Sequence, residues 1–333
     1  MKAAILSGYD KSGTDLLVRD VPMPACGPNE VLVRVTAAGV NPLDNMIVRG
    51  EVKMIVPYSF PLVMGNELVG VVESTGSNVT GFTAGERVYT RLPLSKIGAF
   101  AEYAAVDQAA LAKVPDYLSD EEAACVPLTA LTALQAFELM QPKAGDEVFI
   151  SGGTGSLGAM AIPIAKGLGL VVATSGSAAN RDRVLALGAD RFFDYKTQDY
   201  ATELSGVDYV LDTVGDRELV KEFSILKEGG VLVSLRGMPN GEFAARSGMP
   251  AYKRVLLGIA GRKYDRMAAK KGQTYRFVFV HEDGPGLQKV PEMFGDKRIE
   301  ASVDEVFGLD EVNEAFRKVA AGKSKGKTVL QIA

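Results

Sequence analysis

Three glycines, Gly153, Gly155 and Gly158, stand in the order G-x-G-x-x-G. The apolar run Val148–Ile150 precedes them, and a helix-like run from Leu157 to Leu168 follows. In a strand–turn–helix setting this spacing suits the pyrophosphate of a dinucleotide. Gly153 permits the tight turn, Gly155 lets backbone approach a phosphate, and Gly158 lets the helix pack close to the strand. The helix start adds unpaired N–H groups and the positive end of the helix dipole, with Thr154, Ser156 and Leu157 on the same loop. The same glycines would also serve a plain tight turn, so the weight falls on the residues around them.

An NAD-binding chain places Asp or Glu about 20 residues after the first glycine, to hold the ribose hydroxyls. Here the next strand ends Ala173-Thr-Ser-Gly-Ser177, and no acid follows until Asp182. A carboxylate there would repel a 2′-phosphate, whereas Ser175, Ser177 and Arg181 would accept one. The expected cofactor is therefore NADPH rather than NADH. Either serine would equally serve to cap the next helix. Thr213, Val214 and Phe279 join the expected cofactor-binding set, and Lys323 and Lys325 could add positive charge for the phosphate or form a solvated face.

Other chemistry is poorly supplied. With His281 as the one histidine and Cys26 and Cys125 as the two cysteines, neither a zinc site of the usual ligands nor a disulfide framework is expected. Cys125 reads as a small core residue in an alanine-rich stretch, and His281 as a surface or subunit-contact residue. Tyr58 is a candidate proton or hydrogen-bond donor to a carbonyl oxygen, and reads equally as a half-exposed loop aromatic.

The elements that must position these residues fall into two sets. The first third is strand-rich, with Val31–Val35, Leu68–Glu73 and short runs around Val79 and Val88 separated by turns, the pattern of a small irregular barrel. Ser119-Asp-Glu-Glu122 is a helix start, and Ala123–Met140 follows as one or two helices. From there strands at 147–151, 170–174, 191–194, 207–212, 230–235 and 275–280 alternate with helices, notably at 156–168, 180–187 and 216–227. That alternation means a parallel, doubly wound sheet. The tail, with helices near 286–295 and 310–321 and a last strand at 327–332, is expected to return to the first domain. The fold class is thus α/β, with residues 1–122 plus 284–333 as a β-rich domain and 123–283 as the cofactor domain. Pro163 breaks the helix rule after the glycine loop, so either a kink or burial of the helix face is expected to absorb it. The segment 243–273 is basic and longer than such a core needs, and is expected to overhang the substrate cleft or a subunit surface.

The chain has 333 residues and a net charge of −4, which favours neither nucleic acid nor an anionic membrane as main partner. No apolar run of spanning length and no targeting pattern is evident at Met1-Lys-Ala-Ala-Ile, so a cytoplasmic protein is expected.

Gly65-Asn66-Glu67-Leu-Val-Gly70, followed by Gly76, Val79, Gly85 and Val88, resembles the G-H-E-x-x-G signature of medium-chain dehydrogenases/reductases. In their zinc-dependent branch the histidine binds metal; here Asn66 stands in its place, and Asn41 stands where a ligand cysteine would fall. Ala37-Ala-Gly-Val-Asn41-Pro-Leu-Asp44, with Arg49, Gly50 and the Gly326-Lys-Thr-Val-Leu330 ending, is similar to the zinc-independent quinone oxidoreductase and enone reductase branch. The resemblance implies a GroES-like catalytic domain, a Rossmann domain, and NADPH in the cleft. It places Asn41 and Thr132 near the nicotinamide, as catalytic and cofactor-binding positions, and Tyr195 near the adenosine ribose. Many relatives carry lysine where Asn180 stands, and Arg181 is the substitute here. The tyrosines that some relatives carry after the Asn-Pro motif are replaced by Met46 and Val52. Asp44 is expected to orient the Asn41 loop, and two subunits to pair through the edge strand at 275–280.

The function this implies is reduction of quinones, or of the C=C bond of α,β-unsaturated carbonyls, with no nucleic acid or membrane partner. Two alternatives are an alcohol dehydrogenase and a nucleotide-binding interaction protein without turnover.

Overall fold

The computed structural model describes residues 1–13, 15–295, 297–322 and 324–332, with the side chain of Asp216 left aside. The chain forms two compact units: Met1–Leu131 with His281–Pro291 and Arg298–Ala333, and Thr132–Val280 with Glu292–Lys297. The break expected at 122/123 moves into the helix Pro127–Met140, and residues 292–297 join the second unit. Ser119 marks a helix start, its hydroxyl accepting from Glu122 N–H, rather than a domain edge.

The first unit is built on the strand Glu30–Val40, whose apolar sequence is buried along most of its length. It pairs antiparallel with Glu67–Thr75, Tyr103–Asp107 and the C-terminal strand Lys327–Gln331. The sheet runs on through Arg87–Arg91 to Ala112–Lys113 on one side and through Val303–Gly308 on the other. Gly70 allows the closest approach in this sheet, since a Cβ there would lie 2.2 Å from the Arg34 carbonyl oxygen. A second, three-stranded sheet joins Leu17–Asp20, Lys2–Leu6 and Leu62–Val63. The returning tail supplies the strand that lies against Ala37–Val40, with Thr328 opposite Val40.

The second unit is a six-stranded parallel sheet in the order Arg191–Asp194, Val171–Gly176, Glu147–Ile150, Val207–Asp212, Leu226–Ser234 and Thr274–Phe277. Numbered along the chain this is 3-2-1-4-5-6, the doubly wound order whose first strand leads into the glycine loop. Its core packs Phe149, Tyr200, Phe223 and Leu232, with the Phe149 and Tyr200 rings 4.3 Å apart.

Several expectations are corrected. The edge strand ends at Phe277 rather than 280, because its partner strand ends at Ser234, which accepts only one further bond, from Val278 N–H. The helix expected over 216–227 ends at Ile225, where the next strand begins early at Leu226. The segment 243–273 holds two helices, Gly241–Arg246 and Ala251–Ala269. Among the described residues one helical stretch, Asp120–Met140, is long and apolar enough to cross a membrane, but its most apolar 18-residue window is 83% buried inside the protein, as in a core helix. The helix Ser156–Gly167 continues through Pro163. The lost bond costs about 3 kcal/mol, but residues 158–165 are all buried. Each large apolar side chain among them contributes roughly 1.5–3 kcal/mol, so burial outweighs the break.

Candidate active site

In the first unit the site begins where the strand Glu30–Val40 gives way to the helix Pro42–Val48. Asn41 takes the extended N-cap conformation, Pro42 starts the helix without an N–H to satisfy, and Asp44 reaches back to accept from Asn41 N–H at 2.8 Å. Across from it, Gly65 turns the chain at φ +104°, and Asn66 and Glu67 enter the next strand. Five buried side chains then lock together. Asn66 Nδ2 donates to Asp44 Oδ1 (2.6 Å), and Asn41 Nδ2 donates to Glu67 Oε1 (2.7 Å). Lys327, from the C-terminal strand, donates to Asn41 Oδ1 (2.6 Å) and forms an ion pair with Glu67. Glu67 also accepts from Leu128 N–H at 2.8 Å. Gly39 is needed beside them: a Cβ there would lie 2.3 Å from Glu67 Oε1 and 2.7 Å from Lys327 Cε.

Burial sets the proton affinity of Asp44. The Asp44 carboxyl is pushed up to about 7, chiefly by loss of solvent and against the pull of the Asn41 N–H and the Asn66 amide. Glu67 and Lys327 are each other's buried counterion. A zinc ion does not fit this donor set. Positions 41 and 66 offer carboxamides already engaged with a lysine ammonium and a carboxylate, and among the described residues no three His, Cys, Asp or Glu side chains converge to hold a metal.

Two further side chains adjoin this network. Arg91 lies directly opposite Glu67 in the antiparallel pair and is fully buried. Its Nη1 donates to Leu92 O, while Nε and Nη2 have no partner among the described residues. Burial pulls its pKa down to about 10, against the charges of Tyr58, Glu282, Glu67 and Asp44. Tyr58 is half-buried, its N–H donating to the Tyr9 hydroxyl at 2.8 Å. Its phenol is pushed up to about 12, mainly by burial and against the charge of Arg91. The sequence reading singled out Tyr58 but missed Arg91, Glu67 and Lys327 as members of a site. The one local signal was the alternation Arg87, Tyr89, Arg91, which puts Arg91 on the same strand face as the buried Tyr89.

In the second unit the glycine loop runs from Ser151 to the helix Ser156–Gly167, with Gly155 at its N-cap. A Cβ on Gly153 would lie 2.0 Å from Thr174 Oγ1, and one on Gly158 would lie 2.3 Å from Gly153 Cα, so both positions are closed to any side chain. Gly155 differs: its nearest neighbour would be Gly152 O at 3.4 Å, which leaves its outer side open. The first intrahelical bond runs from Ala159 N–H to Gly155 O. The N–H groups of Ser156, Leu157 and Gly158 are therefore left without intrahelical partners, and with Thr154 they form a cradle suited to a pyrophosphate.

The other expected cofactor residues sort themselves by what they touch. Gly176 pairs with Asp194, and Tyr195 N–H donates to Gly176 O, so Ser177 and Tyr195 stand at neighbouring strand ends. Arg181 is exposed at the start of the following helix, and Lys196, which the sequence reading missed, lies 5.8 Å over the Tyr195 ring. Ser175 is buried, and its hydroxyl faces Gly152 N–H at 3.4 Å rather than standing free for a phosphate. Thr213 donates from Oγ1 to Ser151 O (2.7 Å) and ties the next strand end to the loop, while Val214 beside it is exposed. Asp194, brought in from the adjacent strand, is the acid the spacing argument had not counted, and it caps its own turn through Lys196 N–H and Thr197. Phe279 is half-buried, two residues past the edge strand, and Thr132 is buried in the helix Pro127–Met140. Lys323 lies outside the described residues.

Known proteins carry the same two-part chain. A family described as alcohol dehydrogenase GroES-like domain matches residues 27–116, and one described as zinc-binding dehydrogenase matches residues 187–330. The mitochondrial NAD(P)H oxidoreductase RTN4IP1 of Danio rerio is 30% identical over all of this chain and 91% of its own length. The 2-methylene-furan-3-one reductase of Solanum lycopersicum is 29% identical over 99% of this chain and 79% of its own. Among solved structures, the quinone oxidoreductase of Thermus thermophilus, studied also in complex with NADPH, superposes with a TM-score of 0.76 at 26% identity, covering 99% of this chain and 100% of its own. With its GroES-like and Rossmann units and its amides in the ligand positions, the chain belongs to the medium-chain dehydrogenase/reductase superfamily, in the zinc-independent branch of NAD(P)H oxidoreductases.

Proposed function

We propose that the protein is an NADPH-dependent, zinc-independent reductase of quinones or of the C=C bond of α,β-unsaturated carbonyls. The observation that carries this reading is the Asn41–Glu67–Lys327 network with Asn66 and Asp44, a donor set built for hydrogen bonds and not for a Lewis acid. An acceptor that spreads the incoming charge onto its own carbonyl oxygen needs no metal. A quinone takes up hydride and a proton to become a hydroquinone. An enone takes hydride at its β-carbon and a proton at the α-carbon, after charge has passed through the carbonyl oxygen.

When bound, NADPH supplies the hydride. The N–H groups of Ser156–Gly158 hold its pyrophosphate, and Ser177, Arg181 and Lys196 meet the 2′-phosphate beside Tyr195. Asn41 and Thr132 take the nicotinamide positions that the resemblance implies. Tyr58 donates a hydrogen bond to the acceptor oxygen, its phenol kept protonated by burial, which the charge of Arg91 only partly offsets. The names of the tomato reductase and of the Thermus structure support the acceptor class and the cofactor. The edge strand Thr274–Phe277 is the surface we assign to a second subunit.

The test is steady-state oxidation of NADPH and of NADH with a panel of 1,4-quinones, alkenals and enones. Turnover with at least one class and a preference for NADPH are expected. Failure with every acceptor would overturn the reading.

A further inference from the structure

The helix Ala251–Ala269 has two different faces. Its inner face, with Leu257, Gly261 and Ala268 buried, is held tightly. A Cβ on Gly261 would lie 2.5 Å from Asn240 Cβ, Asn240 Nδ2 donates to Asp265 (2.7 Å), and the Tyr264 ring packs 5.2 Å from Tyr275. The outer face repeats with the helix period. Tyr252, Val255, Leu256 and Ile259 stand at i, i+3, i+4 and i+7 and are 62, 62, 49 and 66% exposed. Further along the same stripe come Arg262, Lys263, Arg266 and Lys270, all outside the buried core. The solvent side of one rigidly placed helix is thus apolar in its first half and cationic in its second.

The charge is concentrated here. From Ala251 to Lys271 the chain carries Lys253, Arg254, Arg262, Lys263, Arg266, Lys270 and Lys271 against the single acid Asp265, in a protein whose net charge is −4. Overall acidity, which argued against an anionic membrane, conceals this patch.

We propose that this outer face docks the protein onto an anionic lipid surface. The helix lies in the plane of the interface, with the four apolar side chains among the headgroups and upper acyl chains and the basic half against lipid anions. A second copy fits less well. The four side chains offer on the order of 400 Å², about half of the ~800 Å² per partner that a stable interface buries. The stripe also presents its own copy with no carboxylate, since Asp265 is bonded to Asn240. A nucleic acid would meet the cations but leave Val255, Leu256 and Ile259 in water. A lipid surface satisfies both halves. The inference does not depend on which acceptor the enzyme reduces.

The test is co-sedimentation of the full chain with vesicles of phosphatidylcholine containing a quarter phosphatidylserine, and with phosphatidylcholine alone, at low and high salt. Binding to the anionic vesicles only, weakened by salt, is expected. V255E with I259E, and R262E with K263E and R266E, should each weaken it by about tenfold or more, with circular dichroism and thermal midpoint unchanged. Because these are surface positions, a folded variant that binds as well as the parent overturns the proposal, as does a parent that binds neither vesicle. Loss of a dimer in the V255E/I259E variant, or retention of an oligonucleotide, without vesicle binding by the parent would assign the face to those partners instead.

Discussion

Asp44 offers the sharpest test of the buried network, because its protonation is coupled to folding. Its carboxyl stands at about 7 in the folded protein against an ordinary value of 3.8. Between those two values the folded chain holds a proton that the unfolded chain has released. Stability from this group therefore falls as pH rises from about 4 to about 7 and is flat above that. At 1.36 kcal/mol per unit the whole span is worth about 4 kcal/mol. Asp44→Asn removes the titration and keeps the geometry. The new carbonyl still accepts from Asn41 N–H, and the new amide can donate to Asn66 Oδ1, which is buried without a partner among the described residues, once the Asn66 amide turns over. Urea midpoints of the two proteins measured in parallel from acid to mildly alkaline pH cancel the other titrating groups. The variant should gain on the parent progressively up to neutral pH, by about 4 kcal/mol in all, and then hold a constant lead. A difference that does not change with pH would refute the argument that burial governs Asp44.

Other perturbations follow from the same geometry. Gly153→Ala places a methyl 2.0 Å from Thr174 Oγ1; it should cost about 1–3 kcal/mol in thermal unfolding and raise KM for NADPH, with partial recovery in the Gly153→Ala/Thr174→Ala pair. Lys327→Met leaves Glu67 charged and buried without its ammonium; a loss of about 3–5 kcal/mol is expected by denaturant titration, and adding Glu67→Gln should restore most of it. Arg181→Ala combined with Lys196→Ala should raise KM for NADPH by about tenfold or more through loss of charge-assisted bonds and leave KM for NADH unchanged; equal effects on both cofactors would remove these residues from the phosphate site.

What could be read before the structure was what depends on local spacing. The glycine loop has its strand, its three glycines and its helix close together in the chain, and the alternation of strands and helices that follows means a parallel, doubly wound sheet. Ser177 and Tyr195 stand at the ends of neighbouring strands in that sheet. The network in the first unit is the opposite case. Lys327 and Asn41 are 286 positions apart, and Asn66 reaches Asp44 across 22. Only the fold brings an ammonium between Glu67 and Asn41, a residue that local sequence marks merely as a departure from a metal site. Arg91 was missed for a related reason: an arginine at a strand end usually points to water, and here the register puts it opposite a buried glutamate. The segment 243–273 reads as basic and longer than the core needs, but the buried and exposed faces of its helix Ala251–Ala269 are set by packing that brings Gly258 and Gly261 against the chain at Asn240 and Gly241.

In the proposed reaction, hydride passes to a carbonyl acceptor without a metal. The most direct measurement is NADPH oxidation by a 1,4-quinone or an enone after exhaustive chelation, with zinc content determined on the same sample. The account predicts turnover unchanged by the chelator and zinc far below one equivalent. Stoichiometric zinc, with activity lost on its removal and regained on its return, would contradict it.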